Sequence, residues 1–179
     1  KISKKLKNIL PKKFIFFQFR YVFFNKLGWG TKEFDYLLSV IHKKYEYVLF
    51  SSDIESNKIS DNFSSYFKKN YSIIDTNNYL QTKNLINQKT FYLEKVNALN
   101  LFYISKESEI NLAKEGIIGH LSFFHKKKCH NLFNFEIKTK KDVYHQKISY
   151  SEWCKGMNFT FSFLNNDIKK SARKIFKHI

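Results

Sequence analysis

The sequence predicts an α+β domain with a basic N-terminal extension, and three observations carry that prediction. Apolar residues recur at helical spacing in some segments and at period two in others. These segments follow one another without a regular strand–helix–strand alternation, which points to α+β. The first 26 residues hold eight Lys or Arg and no acid. A length of 179 residues fits one domain with an extension, and a hydrophobic fraction of 43% excludes intrinsic disorder.

Taken in order, residues 1–26 interleave Lys12, Lys13 and Arg20 with Phe14, Phe16, Phe17, Phe19, Tyr21, Phe23 and Phe24. Three readings fit: an RNA-binding arm whose lysines meet phosphate while rings stack on bases, an organellar transit segment, and a membrane-surface segment. Gly28-Trp29-Gly30 punctuates the chain and Thr31 offers an N-cap. Phe34, Leu37, Leu38 and Ile41 predict a helix over 32–44, and 45–50 reads as a strand. Ser60 or Asp61 opens a helix to Lys69, with Phe63, Tyr66 and Phe67 on one face; Ser72–Asp75 reads as a strand and 79–97 as a helix. Asn100–Ser105 and His120–Phe124 are expected strands, and Lys126–Phe135 a short helix or a loop into one. Phe159, Phe161 and Phe163 alternate with Thr160 and Ser162, a period-two strand. After a cap among Asn165, Asn166 and Asp167, the stripe Ile168, Ala172, Ile175, Phe176, Ile179 predicts a terminal helix packing on a sheet.

Lys and Arg number 32 against 15 Asp and Glu, a formal net charge of +17. Charge of that size self-repels unless a polyanion neutralises it, which argues against an enzyme of small neutral substrates. Phe, Tyr, Ile, Asn and Lys make up over half the chain, as an A+T-rich genome would encode, so much of the lysine excess over arginine is genomic. Cys129 and Cys154 form neither a disulfide framework nor a zinc spacing. The nearest approach to an apolar span, Phe14–Phe24, is broken by Gln18 and Arg20, so no membrane span is expected. His120, His125, Cys129 and His130 lack a four-ligand metal pattern, and Gly116 and Gly119 match a turn rather than a nucleotide-binding fingerprint. The runs Lys12-Lys13, Lys126-Lys127-Lys128 and Lys140-Lys141 suit phosphate contacts. A non-catalytic polyanion binder without cofactor or metal is the expectation.

Two blocks add a resemblance. Lys114-Glu115-Gly116-Ile117-Ile118-Gly119, an apolar expected strand, and then His125 to Phe133 resemble a turn–strand–helix block of the large-subunit ribosomal protein L five family. Lys155-Gly156-Met157-Asn158-Phe159-Thr160-Phe161 resembles that family's R-G-M-D-I-T-I strand, and Ala172-Arg173 falls on the A-R pair of its last helix. The resemblance implies an α+β domain over 71–179, with an antiparallel sheet carrying helices on one face and RNA on the other, behind an added arm over 1–70. It implies a structural role at the central protuberance of a mitochondrial ribosome, in the matrix. The partners would be 5S or large rRNA, neighbouring large-subunit proteins and a small-subunit head protein across a bridge. The RNA-binding residues would be Lys12, Lys13, Arg20, Lys106, Lys114, His125, Lys126, Lys127, Lys128, Lys138, Lys140, Lys141 and Lys155. The family's long loop between the blocks shrinks here to 134–146, too short for contact with P-site tRNA. Two alternatives stand beside it: a peripheral basic subunit of an organellar membrane complex, and a small nuclease using His120, His125 and His130.

Overall fold

The run Phe14–Phe19 offers two apolar faces, and the chain buries both. Phe14 and Phe16 enter one core cluster, while Ile15, Phe17 and Phe19 enter another. A segment apolar on both sides belongs in the middle of a parallel sheet covered by helices, and this one lies there. The computed structural model describes residues 2–52, 61–85, 87–114, 116–134 and 158–179. Its elements are α1 (Ile2–Ile9), β1 (Ile15–Gln18), α2 (Tyr21–Lys26), α3 (Thr31–Ile41), β2 (Val48–Ser51), α4 (Asp61–Asn70), β3 (Ser72–Asp75), β4 (Leu80–Thr82), β5 (Thr90–Glu94), α5 (Ala98–Glu107), β6 (Ile110–Lys114), α6 (Ile117–Phe124), β7 (Lys128–Asn134), β8 (Phe159–Leu164) and α7 (Ile168–His178).

All eight strands form one sheet in the order β4-β3-β5-β2-β1-β6-β7-β8. Only the β3–β4 hairpin is antiparallel; every other neighbouring pair is parallel. Helices α2, α3, α4 and α7 cover one face, over a core of Phe17, Phe19, Phe24, Phe34, Phe50 and Phe67. Helices α1, α5 and α6 cover the other, over Phe16, Leu49, Phe91, Leu93, Leu101, Ile104 and Ile118. Each fully buried Phe contributes about 1.5–3 kcal/mol by leaving water, so the aromatic face is the larger stabilising block. Between α3 and α4 the Tyr66 and Tyr71 hydroxyls both donate to Asp35. Burial, reinforced by that carboxylate, pushes the Tyr66 hydroxyl up to about 12.

Helices and strands mix as expected, but the sheet corrects the finer expectation: it is mostly parallel, not antiparallel, and helices pack on both faces. The expected N-terminal arm is a central strand. Phe14, Phe16, Phe17, Phe19, Phe23 and Phe24 are all buried in the two core clusters, so these rings are not available to bases. Strands from either side of residue 70 interleave, since β1 and β2 lie between β5 and β6.

Four local expectations also change. Residues 79–97 hold β4 and β5 rather than a helix. Asn100–Ser105 is helical because the Asn97 side chain caps the Asn100 amide at 2.8 Å, and Leu101, Ile104 and Ser105 then share a buried face. His120–Phe124 lies in α6, whose buried face is Ile118, Gly119 and Ser122, too small to read as a hydrophobic stripe. Lys128–Asn134 is strand β7, so the first ribosomal-like block runs turn–helix–strand rather than turn–strand–helix. The elements expected at α3, β2, α4, β3, β8 and α7 are present, with α7 capped by Asp167; α3, however, is capped at Gly30, whose amide donates to Glu33 at 2.8 Å, and Thr31 is its first helical residue.

Candidate functional site

The connections of a parallel sheet decide where a ligand fits. From β1 the chain moves through α2 and α3 to β2 on one side; from β5 it crosses back through α5 to β6 on the other. Connections on opposite faces part between β1 and β6. That is the switch point at which open α/β sheets place their ligand crevice, outside the carboxyl ends of the two strands.

The last rung of β1 sets Gln18 opposite Ser51 of β2 and Ala113 of β6. One residue on, the Phe19 amide donates to the Ser51 carbonyl at 2.8 Å. Arg20 follows, at the N-cap position of α2. Ser52 extends β2 and lies 3.2 Å from the Tyr92 hydroxyl; burial holds that phenol above the usual tyrosine range. Lys114 ends β6, and its Nζ lies 5.9 Å from the centre of the Phe23 ring on α2, bridging the two sides of the crevice. At the end of β5, Glu94 is 3.1 Å from Lys68. The carboxyl ends of β1, β2 and β6 therefore carry Arg20, Ser51, Ser52 and Lys114.

Gly116 begins α6 at φ 141° and ψ −149°, a conformation essentially restricted to glycine. A Cβ there would meet nothing within 4 Å, so backbone conformation rather than room selects glycine. This turn leads directly into the first turn of α6. Below it, a buried polar network fixes the helix on the sheet. Asn111 Nδ2 donates to Ser122 Oγ at 2.9 Å and to the Ser105 carbonyl at 3.1 Å, and Ser122 Oγ donates to the Ile118 carbonyl at 2.6 Å. Gly119 admits the Phe159 ring, 3.5 Å from where a Cβ would stand. Cations, a helix start and hydroxyls are the groups that phosphate binding uses.

The expected binding residues divide between two edges. Arg20 and Lys114 lie at the carboxyl edge. Lys12, Lys13, Lys106, His125, Lys126, Lys127 and Lys128 lie at the amino edge: Lys106 in the last turn of α5, Lys128 at the start of β7 and the others on the turns that precede β1 and β7. Lys138, Lys140, Lys141 and Lys155 lie outside the described residues, as does the interval 135–146. An open cleft lined by Ile9, Lys12, Tyr47, Lys83, Lys89 and Phe91 also sits at the amino edge, away from the crevice.

The histidine set is not assembled. His120 is exposed on α6, whereas His130 is buried with its ring nitrogens 2.7 Å from Thr160 Oγ1 and 3.0 Å from Ser162 Oγ. Cys129 is buried in the opposite core cluster, as strand alternation requires. Among the described residues no three His, Cys, Asp or Glu side chains converge on a possible metal position. None of the described helices is long and apolar enough to cross a membrane. Sequence reasoning missed Ser51, Ser52 and the helix-starting role of Gly116. The available signal was the pair of unbroken apolar runs, Phe14–Phe17 and Val48–Phe50, each ending in a polar residue, as buried parallel strands do. No protein-family model and no curated protein sequence matches the chain.

Proposed function

We propose that this protein binds a phosphate-bearing small molecule of the nucleotide class in the crevice between the carboxyl ends of β1 and β6. The observation that carries the reading is the coincidence of the connection switch with Arg20, Lys114 and the glycine-started helix α6. Arg20 offers a fork of donors to phosphate oxygens, Lys114 a point charge, and the α6 amides a fixed set of backbone donors. Titration calorimetry with nucleoside diphosphates and inorganic phosphate tests it. Nucleotide should bind, and Arg20→Ala or Lys114→Ala should each weaken binding by about ten- to hundredfold, the range for hydrogen bonds to charged groups. Absence of nucleotide binding at millimolar concentration would contradict the reading.

Binding of rRNA in a mitochondrial large ribosomal subunit is the reading that follows from the resemblance, and the net charge of +17 supports it. It draws less from the geometry, because both sheet faces are covered by helices and the N-terminal rings are buried. Sedimentation with large-subunit particles in a sucrose gradient is its test; a chain that stays at the top of the gradient at low salt contradicts it.

A further inference from the structure

The amino edge carries a second surface that the crevice does not explain. Phe123 and Phe124 close the last turn of α6 at 53% and 70% exposure. Phe124 stands 5.7 Å from the half-buried Phe102 ring of α5, and Phe102 lies 4.4 Å from His125. An aromatic group that large on the outside of a folded domain is unusual. Lysines share its edge of the sheet: Lys106 at the end of α5, Lys126, Lys127 and Lys128 after α6, and Lys12 and Lys13 before β1. Glu107 and Glu109 are the acids of this edge between α5 and β6.

The turn that presents these groups is built rather than loose. The Lys126 amide bonds the Phe123 carbonyl at 2.9 Å and the Lys127 amide bonds the Ser122 carbonyl at 2.8 Å, the paired bonds of a Schellman C-cap. Lys126 sits at φ 54°, the position glycine usually takes there. A lysine thus keeps a strained place at the tip, next to two exposed rings.

We propose that this edge docks on an anionic membrane surface, with Phe123 and Phe124 entering the interface and the lysines lying against acidic head groups. Apolar rings beside long cationic side chains fit that boundary, since the rings leave water while the ammonium groups stay in the head-group layer. Single-stranded RNA fits less well. Its bases stack on platforms of exposed rings, most often on a sheet face. Here both sheet faces are covered, and Phe124 already lies against Phe102 and His125. Docking by this edge leaves the carboxyl-end crevice open on the opposite side.

The test is flotation of the full chain with vesicles of phosphatidylcholine alone or mixed with phosphatidylglycerol, and with single-stranded RNA as competitor. Binding should require the anionic lipid and weaken with salt. Lys126→Gly, which relieves the strained backbone while removing the charge, should lower partitioning about fivefold, as should Lys127→Gln. Phe123→Ser with Phe124→Ser should abolish flotation without changing the melting temperature, whereas Leu85→Ser, an exposed apolar residue elsewhere, should leave it unchanged. Phe124→Trp fluorescence should be quenched by brominated acyl chains. Equal binding to neutral vesicles, flotation unaffected by the double Phe variant, or loss of RNA binding rather than vesicle binding in these variants would overturn the assignment.

Discussion

The turn from β6 into α6 and the turn from β8 into α7 differ in what closes the helix start. At the sheet edge, Asp167 caps α7: its carboxylate accepts from the Lys170 amide at 3.1 Å and lies 3.4 Å from Lys170 Nζ. The capping amide holds the Asp167 carboxyl below its usual range. Near the sheet centre, α6 begins at Gly116, which brings no side chain to its own helix start. One helix start carries a carboxylate cap from its own N-cap residue; the N-cap residue of the other has no side chain to give. Position explains the difference, because the crevice opens beside β6 and not beside β8.

Predictions that sharpen this contrast run from large to small. The centre should matter most for stability. Phe17→Ala empties a fully buried position in β1 and should cost about 3–5 kcal/mol in chemical denaturation. Phe163→Ala, half-buried on the edge strand β8, should cost less than half as much. Equal losses would mean that β8 is not an edge.

A second effect depends on pH. His130 joins β7 to β8 through Thr160 and Ser162, and its ring stacks on His178 at 5.2 Å. Burial first, and then the charges of His178 and Lys128, lower its pKa to about 3 from an ordinary 6.5. The unfolded chain therefore takes the proton at a higher pH than the folded chain does. Stability is complete above about 6.5 and is lost as pH falls from there toward 3, at no more than about 1.4 kcal/mol per pH unit. His130→Gln should flatten that slope in denaturation curves at pH 6.5 and 4.5; an unchanged slope would show that His130 is not the group responsible.

Smaller still, Asp167→Ala should cost about 1 kcal/mol for the lost cap. Gly116→Ala should cost about 1–3 kcal/mol through backbone strain, but unlike Asp167→Ala it should also weaken nucleotide binding. Thermal melts and calorimetry on the same two variants separate the roles. If both change stability alone, the α6 turn is merely structural.

The same contrast explains what the sequence made legible. β8 and α7 were readable because Phe159, Phe161 and Phe163 alternate with smaller residues, although Ser162 and Leu164 are the buried ones, and because the helix shows a stripe of Ala172, Ile175 and Ile179 with a carboxylate cap. β1 was not, since a strand buried on both faces shows an unbroken apolar run, and lysines on the preceding turn made that run resemble a basic arm. The α5–β6–α6–β7 stretch was misread for a related reason. Its buried faces interrupt Leu101, Ile104 and Ile118 with Asn111, Ser105, Ser108, Ser122 and Gly119, and the hydrogen bonds that make such residues part of a core appear only after folding. Arg20 and Lys114 were named from the sequence among RNA-binding residues, Lys114 through the resemblance. What the sequence hid was their separation from the amino-edge lysines, which depends on strand direction rather than on charge.

The most direct test of the central claim is amide chemical-shift mapping with a nucleoside diphosphate on the full chain. The account predicts that the largest perturbations fall on Arg20, Ser52, Lys114, Gly116, Ile117 and Ile118, and that Lys12, Lys13 and Lys126–Lys128 stay unmoved. Perturbations centred on those amino-edge lysines, or none at millimolar nucleotide, would contradict it.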